Sequence, residues 1–254
     1  MSKSNKNRDR REMVEQMRKQ AKAAERRRTL TVIAACVVVA LIIVGAAVWQ
    51  IVREQQQKEE LANEKLTDIG TAAEQAGCAP VEEQRATGSG EHVTTPVDYD
   101  IVPPSSGPHN PTTVESGTHF FGPGERPDVG LLVHNLEHGW SVVWYDETVA
   151  DDDEQLGQLE ATAAKFDAEG SDPRFNMIIA PWTEEDGESI PDGKHIAFSH
   201  WSVHQDPNVV PSRENLPSES FGVSQYCDSF SGAALERFME KYPYDDAPEG
   251  YLWH

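Results

Sequence analysis

LTVIAACVVVALIIVGAAVWQIV, residues 30–52, is an apolar run of about 23 residues that decides how the rest of the chain is organised. As a helix, this run would be roughly 34 Å long, which is enough to cross the hydrocarbon core of a bilayer. Arg26, Arg27 and Arg28 directly precede it. Because positively charged flanks stay in the cytoplasm, we expect a single-pass transmembrane helix at the cell membrane, with a cytoplasmic amino terminus and an extracytoplasmic carboxy-terminal part.

The two sides of this run carry opposite charges. Residues 1–29 hold eleven Lys and Arg against four Asp and Glu, a net charge of +7, so that −28 remains for residues 30–254 when the whole chain has −21. The basic leader either sets the topology or lies on anionic lipid as an amphipathic helix, with Met13 and Met17 on one side. It has no aromatic residues among its charges, so we do not expect nucleic-acid binding. The membrane is the one partner that the sequence indicates, and no protein partner is identified.

A cleaved signal peptide is the alternative to a retained anchor. Val44-Gly45-Ala46 offers small residues of the kind found at cleavage sites, and Arg27-Arg28 resembles a twin-arginine signal. The basic leader is very long, however, and the apolar run is longer than is usual for a signal. These lengths favour an anchor that remains in the mature protein.

Beyond the anchor, the sequence predicts a stalk and one globular domain. Residues 53–77 are rich in Gln, Glu, Lys and Ala, and we expect a helical stalk that ends at Gly77 and cannot resume at Pro80. The domain occupies residues 78–254. It begins with a polar linker at residues 81–91. The proline-rich residues 103–111 cannot form a helix and must be an ordered or a disordered loop, and we expect an ordered one.

Apolar runs in this domain predict both strands and helices. Strands are expected at residues 129–133, 140–145, 175–181 and 195–203. Helical spacing predicts one helix around residues 156–166 and a last one around residues 230–242. The acidic residues 151–154 are expected to begin the first of these helices rather than to bind calcium, because they lack the alternate spacing of a calcium loop. The fold class is therefore α+β: a small mixed or antiparallel sheet with two covering helices.

The chain has three cysteines, and Cys36 lies inside the apolar run. Cys78 and Cys227 would both lie in the oxidising compartment outside the membrane, where disulfides persist. We expect a disulfide between them, which would close a loop of about 150 residues and stabilise the fold by about 4 to 5 kcal/mol on the chain-entropy model. Two free buried thiols are the alternative.

Histidines are concentrated in one part of the domain. Five of the nine lie between residues 92 and 138, and the densest group is HNLEHG, residues 134–139. On a helical turn His134 and His138 would share a face and reach one metal ion, but on an extended strand they would lie roughly 13 Å apart. Because the flanks are predicted as strands, chelation requires a turn at this junction. The string also matches the H-x-x-E-H of inverted zinc peptidases, but the flanks do not supply a long helix.

Three motifs resemble a known family. Ser106-Gly107-Pro108-His109, the HNLEHG group and Pro248-Glu249 are similar to bacterial membrane-anchored proteins that carry the domain of unknown function numbered 3105, over roughly residues 78–250. The resemblance implies an extracytoplasmic domain on a single amino-terminal anchor, with a paired cysteine and no established activity. His119, His200 and His204 fall at or near departures from the family pattern, so they are poorer site candidates.

The sequence thus predicts a metal site formed by His109, His134, His138 and Glu137, with Glu137 as a fourth ligand or as an acceptor that orients an imidazole. Imidazole ligands suit copper or zinc better than magnesium or calcium, and the thioether of Met177 would favour copper. The alternative is a non-catalytic interaction or scaffold module of the cell envelope, in which the histidine cluster is structural. A hydrolase with Glu137 as its base is a third hypothesis, but no catalytic residue is assigned.

Overall fold

The computed structural model describes residues 3–253. Helix α1 (Lys3–Asn63) contains the apolar run. Its segment Glu15–Arg53 is long and apolar enough to cross a membrane, and none of its most apolar window is buried. This helix is a candidate membrane anchor near the amino terminus. The chain divides into two compact units, Met1–Gln57 and Lys58–His254, and the second unit holds the α+β domain.

A five-stranded mixed sheet forms the centre of the second unit. Its strands are β1 (Glu82–Arg85), β2 (Ser141–Tyr145), β3 (Met177–Pro181), β4 (Ile196–Ser202) and β5 (Phe221–Cys227). The strand order is β1-β5-β4-β2-β3, in which β2 and β3 are parallel and the other neighbouring pairs are antiparallel. The predicted α+β fold with a small mixed sheet is confirmed.

Alternate residues of the strands point to opposite faces of the sheet, and each face has its own apolar cluster. On one face, Val143 and Phe198 pack with helices α4 (Asp153–Ala168) and α5 (Gly232–Lys241), which are the two predicted covering helices. Asp152 accepts backbone hydrogen bonds from Glu154 and Gln155, so the acidic run begins this helix, as predicted. Between β2 and α4, the chain forms a short helix, α3 (Glu147–Ala150).

The other face of the sheet is covered by helix α2 (Val129–Glu137), and here the prediction of a strand at residues 129–133 is wrong. Asp128 begins the helix, because its side chain accepts a hydrogen bond from the backbone nitrogen of Gly130 at 2.8 Å. Leu132, Val133 and Leu136 are fully buried against this face. A short apolar run has the same composition in a buried strand and in a buried helix, so the run alone did not separate the two.

Two strands were not predicted. Strand β1 lies within residues 81–91, which were predicted as a linker; its four residues are polar and exposed, and only the pairing with β5 makes them a strand. Strand β5 contains Gly222 and several polar residues, which weaken a strand pattern. The other predicted strands are confirmed as β2, β3 and β4, each within two residues of the expected bounds.

The predicted stalk is helical over a shorter range than expected. Helix α1 ends at Asn63, and a short 3-10 helix follows at Leu66–Asp68. Leu66 and Ile69 are buried in the same apolar cluster as α5. Leu66 and Ile69, which lie in the range predicted as a stalk, therefore belong to the domain core.

The predicted disulfide is present. Cys78 and Cys227 are bonded across a sequence separation of 149 residues, while Cys36 is free and exposed. Cys227 ends β5, and its backbone pairs with Ile196 of β4. The disulfide thus fastens the beginning of the domain to the carboxyl end of β5.

Candidate metal centre

The end of helix α2 presents three polar side chains, those of His134, Glu137 and His138. His138 caps the helix: its backbone nitrogen donates to the carbonyl oxygens of His134 and Asn135. The chain then turns at Gly139, where φ is +84° and an added Cβ would overlap the carbonyl oxygen of Tyr244. Glycine is required here because other residues disfavour this backbone conformation. The helical turn that metal binding needs at this junction is therefore present.

The proline-rich loop brings His109 to this helix end. Residues 103–107 are buried, so the loop is ordered, as predicted. It crosses β5 at Gly222, where a side chain would overlap the hydroxyl groups of Ser105 and Ser106. Close approach of the loop to the sheet explains a glycine within that strand. His109 is fully buried, and its Nδ1 lies 2.8 Å from the carbonyl oxygen of Gly107.

A turn before the loop brings a further histidine, His92. The backbone nitrogen of Val93 donates to the carbonyl oxygen of His109 at 2.7 Å, and that of His109 donates to Glu91 at 3.1 Å. These two bonds place His92 beside His109 in a short parallel bridge. The same turn supplies Ser89 and Gly90, which donate hydrogen bonds to Oε1 of Glu137 at 2.9 and 2.6 Å.

Four side chains from these three segments form one group that could hold a metal ion. The candidate ligand atoms of His92, His109, His134 and Glu137 all lie within 4.8 Å of one another. The ring centroids of the three histidines are 4.7 to 5.1 Å apart. His92 is exposed and the other three side chains are buried. The group therefore has three imidazoles and one carboxylate, with one side open to solvent.

The contact between His109 and Glu137 is the most informative feature of this group. Nε2 of His109 and Oε2 of Glu137 lie 3.0 Å apart, and the two side chains are 0% and 1% exposed. The contact does not satisfy hydrogen-bond geometry, and neither atom has a hydrogen-bond partner among the described residues. Nδ1 of His109 must carry a proton because the carbonyl oxygen of Gly107 can only accept. When the ring is protonated, His109 and Glu137 form a buried ion pair. When the ring is neutral, Nε2 directs a lone pair at a carboxylate oxygen, and a cation between the two atoms would remove this repulsion.

Opposing effects act on the pKa values of these groups. Burial lowers the pKa of His109, but Glu137 and the Gly107 carbonyl outweigh it, so that the net pKa is raised. Burial, His138 and His109 lower the pKa of His134, against the opposing effect of the Asn110 carbonyl. Burial raises the pKa of Glu137, yet His109, Gly90 and Ser89 bring the net value below its usual range. Glu137 is therefore an anion at neutral pH, and the ring of His134 is neutral.

His134 has the same arrangement as His109. Its Nδ1 lies 2.8 Å from the carbonyl oxygen of Asn110, which fixes the proton on that nitrogen. The lone pair of a neutral ring is then on Nε2. Metal-binding histidines usually donate their other ring nitrogen to a carbonyl or carboxylate in this way.

His138, which was predicted as a ligand with His109 and His134, lies in a second, overlapping group. Its candidate ligand atom lies within 4.8 Å of those of Glu137 and Glu249. Nε2 of His138 is 3.0 Å from Oε2 of Glu249, and both side chains are partly exposed. The backbone nitrogen of Glu249 donates to the carbonyl oxygen of Glu137, and Nε1 of Trp253 donates to that of His138. The carboxy-terminal segment is thus held against the end of α2.

Met177 and the three histidines that were predicted to be poorer candidates lie elsewhere. Met177 is buried in the apolar cluster on the opposite face of the sheet from α2, so the argument for copper from its thioether fails. Nδ1 of His119 lies 2.7 Å from the Met177 carbonyl oxygen, His200 is buried beside Ser141 and the Asp246 carbonyl, and His204 contacts Glu83. None of these three histidines belongs to either group.

Sequence reasoning missed two members of the groups, His92 and Glu249. His92 is seventeen residues or more from the other members of its group, and only the backbone bridge to His109 shows that it belongs there. Glu249 stands in the Pro248-Glu249 motif that carried the family resemblance, so that motif was a signal for it.

The fold and the cluster define a class of protein: an α+β domain, preceded by a candidate membrane helix, that carries a mostly buried group of three histidines and a carboxylate. The family DUF3105, described as a protein of unknown function, matches residues 92–251. The chain belongs to this family, and the matched range includes every member of both groups. No curated protein and no solved structure matches the chain.

Proposed function

We propose that this protein is anchored in the cell membrane by residues 30–52 and binds a transition-metal ion with the domain that follows. The ligands are His92, His109, His134 and Glu137. The observation that carries the proposal is the buried contact of His109 with Glu137, in which a ring nitrogen and a carboxylate oxygen face each other at 3.0 Å without a hydrogen bond. A metal ion satisfies both atoms at once.

The surroundings of the ligands support the same proposal. The Nδ1 atoms of His109 and His134 each have a main-chain carbonyl partner, so that Nε2 of both rings remains available to a metal ion. Oε1 of Glu137 is held by Ser89 and Gly90, which leaves Oε2 directed at the cluster. A set of ligands that is fixed before the metal arrives loses little conformational entropy on binding.

Three imidazoles and a carboxylate favour zinc(II) or copper(II). Magnesium and calcium prefer oxygen ligands, and four ligands of this kind match the tetrahedral sites that zinc adopts in proteins. The group has no thioether, so copper(II) is favoured over zinc(II) only by its generally higher affinity for nitrogen and oxygen ligands. We therefore propose that the site binds zinc(II) or copper(II), and the experiment below uses both metals.

The proposed topology has a cytoplasmic amino terminus and an extracytoplasmic domain. The charge of +7 before the apolar run supports this orientation, and the disulfide of Cys78 and Cys227 fits an oxidising compartment. In cells whose thiols are trapped in acid, a maleimide should label these two cysteines only after reduction. Labelling of both before reduction would contradict the extracytoplasmic assignment.

The second candidate function is a non-catalytic interaction or scaffold module in which the histidines are structural. It is favoured by two bonds that form whether or not metal is present: the bond from His109 to Gly107 lies within the loop, and the bond from His134 to Asn110 ties the loop to α2. On this alternative, His134→Gln lowers the melting temperature equally with and without metal.

The test is metal binding by the full chain, purified in detergent without a histidine tag. After dialysis against zinc chloride or copper chloride, elemental analysis should find bound metal in the wild type and a large loss in His134→Gln. Zinc should also raise the melting temperature of the wild type by mass action. His119→Gln is the matched control, because His119 is also buried and also has its Nδ1 beside a carbonyl, but belongs to neither group.

Two outcomes would contradict the proposal. One is the absence of stoichiometric zinc or copper in the wild type after reconstitution. The other is an equal loss of metal in His134→Gln and His119→Gln, which would show that binding depends on stability of the fold rather than on the ligand.

A further inference from the structure

The second group, at the carboxyl end of α2, shares a residue with the first. Glu137 is a member of both: it lies with His92, His109 and His134 on one side and with His138 and Glu249 on the other. The rings of His134 and His138 are also neighbours, with centroids 4.7 Å apart. Two groups that share a carboxylate in this way resemble the arrangement of sites that hold two ions about 3.5 to 4 Å apart.

We infer that the domain binds two metal ions, with Glu137 as a shared carboxylate, the second ion being held by His138 and Glu249 near the surface. The inference rests on the proposed function, because the first ion is the one bound by the three other histidines. It assigns His138 to the second ion rather than to the site with His109 and His134.

The charges of the second group support a cation there. Glu137 and Glu249 place two carboxylates within 4.8 Å of the His138 nitrogen and of each other. Like charges at such a distance repel, and a divalent cation between them turns this repulsion into attraction. Two hydrogen bonds to main-chain carbonyl oxygens hold the group in place: the backbone nitrogen of Glu249 donates to Glu137, and the side-chain Nε1 of Trp253 donates to His138.

The two groups differ in ligand chemistry and in access. The first offers three nitrogens and one oxygen, most of them buried, whereas the second offers one nitrogen and two carboxylates. Oxygen-rich sites accept manganese(II) and magnesium(II) as well as zinc(II), while imidazole-rich sites favour zinc(II) and copper(II). His138 and Glu249 are 25% and 32% exposed, so the second ion exchanges with solvent more readily than the first.

The experiment is a zinc titration of the full chain in detergent, again without a histidine tag. We expect about two zinc ions per chain in the wild type and about one in His138→Gln, with the tighter ion retained. Glu249→Gln is a second variant, which should give the same result without touching α2. His195→Gln is the matched control: His195 is also partly exposed and paired with a carboxylate, Asp146, at 2.8 Å, but belongs to neither group.

Copper(II) supplies an independent measurement of the shared carboxylate. Two copper ions bridged at about 3.5 to 4 Å couple their spins, so the paramagnetic resonance signal per copper should fall when the second equivalent binds. In His138→Gln one equivalent should give the signal of an isolated ion. Two uncoupled signals in the wild type would overturn the shared carboxylate.

The outcomes separate this inference from the proposed function. If the wild type binds one zinc ion and His138→Gln binds one as well, the second site is wrong and the first stands. If the wild type binds none, both are wrong. If His138→Gln and Glu249→Gln still bind as much zinc as His195→Gln, and all three melt within a few degrees of the wild type in chelator, the inference is overturned.

Discussion

Two histidine–glutamate pairs lie at the end of α2, and they differ in burial rather than in distance. His109 and Glu137 are 3.0 Å apart and 0% and 1% exposed; His138 and Glu249 are also 3.0 Å apart, but 25% and 32% exposed. The same two functional groups therefore act in two environments. A buried charge is stabilised only by the protein groups around it, so the loss of one partner is costly. A charge in contact with water is also stabilised by the solvent.

The local contacts reflect this difference. The carboxylate of Glu137 accepts hydrogen bonds from Ser89 and from the backbone of Gly90, and its own backbone carbonyl is held by Glu249. Glu249 has His138 as its side-chain partner, and this contact is the largest cause of the lowered pKa of Glu249. The buried pair should accordingly matter for the stability of the fold, and the exposed pair mainly for binding.

The largest expected effect is that of Glu137→Ala. In the presence of a chelator, we expect the free energy of unfolding to fall by about 3 kcal/mol, because the change leaves the buried partners of a carboxylate unsatisfied. Urea unfolding of the full chain in detergent, followed by tryptophan fluorescence, measures the loss. A decrease of under about 1 kcal/mol would place the buried pair in the same class as a surface pair.

A smaller loss is expected for Gly139→Ala, which changes the turn next to both pairs. Alanine at a φ of +84° costs about 1 to 2 kcal/mol, and its Cβ would also overlap the Tyr244 carbonyl, so we expect a loss of about 2 kcal/mol. Gly157→Ala is the control. Gly157 is exposed within α4 with no atom near an added Cβ, so alanine there should stabilise by about 0.5 to 1 kcal/mol. Equal effects of the two changes would show that the turn at Gly139 is not constrained.

The sequence predicted much of the fold because its signals are local. The helical spacing before β3 and after β5 and the apolar runs of β2 and β4 each depend on neighbouring residues, and the structure follows them. The disulfide of Cys78 and Cys227 could be predicted because only two cysteines lie outside the apolar run. Strand β1 could not be predicted, because its polar residues become a strand only by pairing with β5, about 140 residues away.

The candidate site was predictable in part for the same reason. HNLEHG and the motif before His109 are visible as motifs, but residues 129–133 look like a strand, and as a strand His134 and His138 would be too far apart to chelate. The helix forms because Asp128 caps it and the sheet buries Leu132 and Leu136. His92 joins the group through backbone pairing with the loop, which no spacing in the sequence reveals.

The comparison of buried and exposed histidines can also be tested at His200, a buried histidine whose ring nitrogens contact no carboxylate among the described residues. His200 lies beside the Ser141 hydroxyl and the Asp246 carbonyl, and burial lowers its pKa despite the opposing effect of Asp246. Below its unfolded pKa of about 6.5, the unfolded chain therefore binds a proton that the folded chain does not, and stability falls as the pH falls. This loss of stability continues as the pH falls, until the pH reaches the lower pKa of His200 in the folded chain and the folded chain binds the proton as well.

The expected size of this effect is about 1.4 kcal/mol per pH unit below pH 6.5 for one proton. It is measured as the difference in slope of unfolding free energy against pH between the wild type and His200→Gln. His195→Gln, at a partly exposed histidine beside Asp146, is the control for replacing a histidine outside the core. An unchanged slope in His200→Gln would mean that His200 titrates in the folded protein as it does in the unfolded chain.

The smallest expected effect is that of Glu249→Ala on stability without metal. Since His138 and Glu249 are both partly exposed, water screens their attraction, and we expect a loss of no more than about 1 kcal/mol in chelator, shrinking further at high salt. The same urea unfolding measures it beside Glu137→Ala. A loss that matches Glu137→Ala and does not change with salt would show that the carboxy-terminal segment depends on this pair for folding. A small, salt-sensitive loss together with the loss of one zinc ion would instead assign Glu249 to metal binding, because a ligand can be dispensable for the fold and necessary for the ion.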